Sequence, residues 1–121
     1  MADVQLTVSD LISTTTGKSS KIFTLVGQID ESNVMPLVEK IYAVIKEATP
    51  GMGYIFDLEN LLYMNSKSVG YMTDFYNQIK TRGGNMVLTK LQPNINDILS
   101  VIGLTRIIPV AQTLEEAKNL V

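Results

Sequence analysis

Tyr54-Ile55-Phe56-Asp57-Leu58 decides the architecture. The run is nearly continuous in apolar groups, with no alternation that would leave one face wet, as expected of a central strand covered on both faces. Ahead of it Pro50-Gly51-Met52-Gly53 is a helix stop, and ahead of that Val34, Leu37, Val38, Ile41, Val44, Ile45 and Ala48 recur at helical spacings of three and four. Ser32 or Asn33 can cap this helix, and Pro36 falls in its first turn, where backbone N–H groups have no helical partner. A helix that feeds a doubly buried strand implies a parallel sheet.

Upstream, Val4, Leu6 and Val8 alternate with Asp3, Gln5, Thr7 and Ser9, the period-2 signature of a strand with one buried face. Ser13 to Ser20, with Gly17, has turn composition, and Ile22, Phe23, Leu25 and Val26 form a second strand ending near Gly27. Downstream, a second helix is expected from about Asn65 to Arg82, with Val69, Met72, Phe75, Tyr76 and Ile79 on one face and Gly83-Gly84 as its stop. The strand Met86-Val87-Leu88 follows. A third helix, about Asn94 to Ile102, is expected to bury Ile95, Ile98, Leu99 and Ile102 and to end at Gly103. The last strand is read at Ile107-Ile108-Pro109-Val110, near a sheet edge because proline has no donor. Thr113-Leu114-Glu115-Glu116 has the capping-box spacing that opens a final helix carrying Leu114, Ala117 and Leu120. The expected fold is α/β: an N-terminal β-hairpin followed by βα units, a mixed, mostly parallel sheet of about five strands with about four helices. Residues 1–121 read as a single domain, with no linker or repeat.

Composition removes whole classes of chemistry. Among 121 residues there is no cysteine, histidine or tryptophan, and the net charge is -2. Disulfides, thiolate nucleophiles, Ser-His couples and the usual zinc, copper or haem ligands are therefore excluded. The ten Lys and Arg form no basic patch that would favour nucleic acid, and the longest unbroken apolar run, Ile41 to Ile45, is far too short to span a bilayer. A cytoplasmic protein without membrane insertion is the expectation.

Most motif-like segments fail on inspection. Gly17-Lys18-Ser19 resembles the tail of a P-loop, but the earlier glycine would fall at Ile12 and no helix is expected to follow. Gly51 and Gly53 precede a strand, so they read as a turn. Asp30, Glu31, Asp57 and Glu59 can in principle supply an acid-base pair or metal ligands, though plain loop and strand-end carboxylates are the simpler reading. Ser66-Lys67 invites a serine-lysine mechanism, yet neighbours on a helix project about 100° apart and do not face each other. A small hydrolase or nucleotide-binding enzyme using Ser66 with Asp30 and Asp57 therefore stands as a distant third reading.

What remains is Met64-Asn65-Ser66-Lys67-Ser68-Val69-Gly70, at the junction of strand and amphipathic helix. Asn and Ser are preferred caps, which accounts for the polar residues structurally. Gly70 is different, since a glycine inside a helix costs about 1 kcal/mol relative to alanine. It implies close packing or a surface kept bare for a partner. A hydroxyl in the first turn is also well placed for switching, because a phosphate would add about -1.5 to -2 charges beside the positive end of the helix dipole.

Five blocks in order, Gly27-Gln28-Ile29-Asp30, Phe56-Asp57-Leu58, Tyr63 to Gly70, Arg82 to Leu88, and Ile102 to Val110, resemble the STAS domain of bacterial anti-sigma factor antagonists. In that family the junction reads D-S-S/T-G-L-G, and the serine after the aspartate is phosphorylated by a serine kinase that doubles as the anti-sigma factor. The resemblance places that serine at Ser66 and the partner-binding surface at Asp30, Asn65, Ser66, Lys67, Ser68, Val69 and Gly70. It implies a non-enzymatic partner-switching regulator of transcription, with an anti-sigma factor kinase and a PP2C-type phosphatase as partners. No cofactor is implied, since ATP and magnesium would belong to the kinase. Asn65, Lys67 and Ser68 depart from the family pattern. They keep a second expectation open, a divergent, non-phosphorylated adaptor or scaffold subunit in a regulatory or transport assembly.

Overall fold

The computed structural model describes residues 3–12 and 17–121, so the expected turn over Ser13 to Ser20 lies partly outside the described residues. Strand β1 (Val4–Ile12) pairs antiparallel with β2 (Ser19–Ile29) in unbroken register, from Val4 opposite Gly27 to Ile12 opposite Ser19. The strand β3 (Gly53–Met64), β4 (Asn85–Thr89) and β5 (Val110–Ala111) then add in parallel, giving one five-stranded sheet in the order β1-β2-β3-β4-β5. The helices α1 (Val34–Glu47), α2 (Ser66–Thr81) and α3 (Pro93–Ile102) are the three crossovers, and α4 (Leu114–Leu120) ends the order. This is the expected α/β fold, hairpin first.

Right-handed crossovers that all step in the same direction must lay their helices on the same face of the sheet. The packing shows it. Phe23, Phe56 and Leu88 join the large core with α1, α2 and α3, while their neighbours Ile22, Ile55 and Val87 join a smaller one with Ala111 and with Ala117 of α4. The Tyr54–Leu58 run is apolar for this reason: Tyr54, Phe56 and Leu58 face three helices and Ile55 faces the fourth.

The last strand is shorter and later than its sequence implies. Ile107 and Ile108 both donate their N–H to Leu104 O, at 3.0 and 2.8 Å, closing a 3₁₀ turn over Leu104–Arg106, and Pro109 has no N–H to give. Pairing therefore resumes at Val110. The edge position is as expected. Ile102 also differs, being half exposed, because the chain reverses at Gly103 in the left-handed conformation (φ 89°) and Leu104 and Ile108 fill the core instead.

Both strands that lead to the junction overrun their expected ends. Strand β2 continues past Gly27, whose φ of 114° marks an irregularity in the β2–β3 register, and a Cβ there would sit 2.2 Å from Asp3 O. Strand β3 extends seven residues beyond its last pairing with β4 at Asp57 opposite Thr89. Its free edge is held by side chains: Gln92 donates to Glu59 O, and Asn94 Nδ2 donates to Leu62 O at 2.7 Å. The two strands finish together, Ile29 opposite Met64, and present Asp30 and Asn65 at one tip of the sheet.

Candidate functional site

At that tip Asn65 N donates to Ile29 O at 3.3 Å, the last main-chain tie between the strands. Asn65 is extended (φ -85°, ψ 169°), and its Oδ1 accepts from Ser68 N at 3.1 Å and from Ser68 Oγ at 2.5 Å. This is a side-chain N-cap, so the structural account of Asn65 holds. It also separates the two serines. Ser68 is buried with its hydroxyl committed to the cap, whereas Ser66, in the first turn, is exposed.

The other expected partner-binding residues divide in the same way. Val69 is buried in the core among the α2 residues Met72, Phe75 and Ile79, so it seats the helix. Lys67 and Gly70 are exposed and line a shallow groove of about 310 Å³ with Tyr42, Tyr71 and Asp74. Asp30 stands beside Asn65 at the end of β2, and its Oδ1 accepts from Ser32 N at 2.8 Å and Ser32 Oγ at 2.5 Å. Those bonds, the hydroxyl's first, hold its carboxyl below the usual carboxylate range. Asn33 completes the corner, accepting from Asp30 N and donating to Gln28 O, so it braces the strand end and makes no side-chain cap on α1.

The groove leaves no local signal in the sequence, because its residues come from two helices. Tyr42 of α1 donates its hydroxyl to Asp74 of α2, which also accepts from Gln78 Nε2 at 3.0 Å. Burial first, and then this bond, pushes the Tyr42 phenol well above the ordinary tyrosine range. Tyr71 O–H reaches Met35 Sδ at 3.1 Å. Exposed Met35, Leu62 and Tyr63 add apolar surface around the tip.

Gly70 has no packing reason for lacking a side chain. A Cβ there would meet nothing within 4 Å, and the residue is exposed. We expect Gly70→Ala to raise stability by about 1 kcal/mol, read as a higher urea midpoint at unchanged slope. An unchanged or lower midpoint would mean that the glycine serves the helix itself.

The carboxylates do not converge. Asp57 lies seven residues before Met64 on β3, about 20 Å from the tip at strand spacing. Together with Glu59 it pairs with Lys90, at 3.8 and 3.1 Å respectively, and Glu59 foremost raises the Lys90 pKa. Ser66, Asp30 and Asp57 thus form no acid-base unit. Among the described residues no group of three or more carboxylates can hold a metal ion, and no helix is long and apolar enough to cross a membrane.

Comparison with known proteins agrees with the fold. The STAS domain family model matches residues 11–117. An anti-sigma F factor antagonist of Paenibacillus polymyxa is 30% identical over 56 residues, which are 46% of this chain and 48% of that one, so the matched segment spans about half of the relative's length. Among solved structures, an anti-sigma factor antagonist from Mycobacterium paratuberculosis superposes with a TM-score of 0.76 at 22% identity, over 97% of this chain and 92% of that one. The antagonist SpoIIAA in its unphosphorylated form gives 0.74 at 21% identity over 95% and 94%. Its phosphorylated form, from Bacillus, gives 0.68 at 21% identity over 95% and 97%.

Proposed function

This chain belongs to the STAS domain family, and from that membership we propose that it is an antagonist-type regulator, binding a serine-kinase anti-sigma factor and released by phosphorylation of Ser66. Residues 1–121 act as one domain, in the cytoplasm, with a PP2C-type phosphatase returning Ser66 to its free hydroxyl. The observation that carries the reading is the division between the two serines. Of the pair at the head of α2, Ser66 alone offers its hydroxyl to a kinase, in a first turn with no acidic side chain to repel the product. SpoIIAA, whose fold this chain shares, is known in phosphorylated and unphosphorylated forms. The protein performs no catalysis in this reading; the chemistry is done to it.

Mass spectrometry of the chain recovered from its own cells, with phosphatases inhibited, should find phosphate on Ser66 and lose it in Ser66→Ala. Phosphate confined to Ser68 would overturn the assignment. An unmodified chain across growth and stress conditions would favour the second reading, an adaptor subunit. That reading draws on Lys67, an exposed cation where the family pattern has a small hydroxyl. An adaptor would co-purify with its assembly at fixed stoichiometry, whatever the state of Ser66.

A further inference from the structure

The two edges of the sheet are treated differently. On one side β5 has only two residues, directly behind Pro109, which blunts it. On the other, β1 runs for nine residues, about 30 Å, with no proline, lysine or register shift, and among the described residues nothing pairs with its outer edge. Val8 lies opposite the fully buried Phe23, on the helix-covered face where Val4 and Leu6 pack against the core, yet it is 41% exposed. The edge is therefore open and its apolar residue only half covered.

We propose that the occupant is a second copy of this chain, pairing β1 with β1 antiparallel about a two-fold axis at Thr7, so that two sheets become one of ten strands. The pairing is self-complementary. Gln28 N donates to Asp3 O at 2.8 Å, so by the antiparallel alternation the even-numbered residues of β1 turn their N–H and C=O outward. An axis at Thr7 makes Leu6 and Val8 of opposite copies a hydrogen-bonded pair and places Val8 against Leu6 on the helix-covered face. On the other face it sets Thr7 against Thr7 and Gln5 against Ser9, pairs whose hydroxyls and amide can bond across the strands. It engages the strand from Asp3 to Leu11. The charges also fit: Asp3 falls opposite Leu11 and Asp10 opposite Val4, so no like charges meet, and Asp10 is already paired with Lys21 at 2.5 Å. A C2 contact of this kind closes on itself and uses up the edge. The edge is separated by β2 from β3 and the Ser66 turn, so this pairing stands or falls independently of the phosphorylation reading.

Sedimentation equilibrium of the whole chain should show a reversible monomer-dimer system. Val8→Lys, a charge at a half-exposed edge position, should weaken it at least about tenfold. Val101→Lys, at the most exposed large apolar side chain among the described residues, 87% accessible on α3, should leave it unchanged. Thermal melts of both variants check the fold, and hydrogen exchange supplies a second readout: the Leu6 and Val8 amides should become more protected as wild-type concentration rises. A monomer at every concentration, a dimer indifferent to Val8→Lys, or a dimer lost in Val101→Lys would overturn the proposal.

Discussion

If the proposed switch operates, Ser66→Asp should weaken the complex with a serine-kinase anti-sigma factor at least about a hundredfold, and full phosphorylation by about four orders of magnitude, near 5.5 kcal/mol. That larger figure is what takes a binding equilibrium from nearly complete to nearly absent. Its source is desolvation: Ser66 is exposed in the free chain, so a charge there is hydrated at little cost, but an interface that closes over it must strip that water, and the single neighbouring cation, Lys67, does not balance a doubly charged phosphate. Aspartate carries one of the phosphate's two charges, hence the smaller effect. Ser66→Ala should bind as the wild type does and resist release by ATP. Calorimetric titration of the three forms decides it, and equal affinity for Ser66→Asp would exclude the switch.

Phe56→Ala should cost about 3–5 kcal/mol, measured by denaturant unfolding. Phe56 is fully buried on the central strand, with ring centroids 4.9 Å from Phe23 of β2 and 5.9 Å from Phe75 of α2. Phe75 in turn meets Tyr42 of α1 edge-on at 5.1 Å. Truncating Phe56 therefore opens a cavity where sheet and two helices meet, and a domain of this size has only about 5–15 kcal/mol to lose. A cost below about 1 kcal/mol would show that the aromatic cluster repacks.

The same residues explain how much of the fold is legible in the sequence. The Tyr54–Leu58 run and the helical periodicities were legible because burial on both faces, or on one stripe, writes itself into local spacing. The far half of β3 was not. Leu58, Leu61 and Met64 are buried at intervals of three, since the β2–β3 register shifts twice, and the period-2 strand template does not match that spacing. Ile107-Ile108 misled for a related reason: β-branched residues favour strands, but their N–H groups are taken by Leu104. At the site, Ser66 was legible as a helix start. The burial of Ser68 was not, because it depends on which way the Asn65 side chain turns, and the Tyr42–Asp74 contact joins residues 32 apart.

The amides of Gln92 and Asn94 hold the overrunning edge of β3 where another strand would otherwise lie. A neighbouring strand would fix that edge by main chain, whose spacing no substitution alters. Side chains can be exchanged one codon at a time. The contour of the tip is thus open to stepwise variation while the sheet beneath it stays constant, so the surface presented there can change without disturbing the fold that presents it.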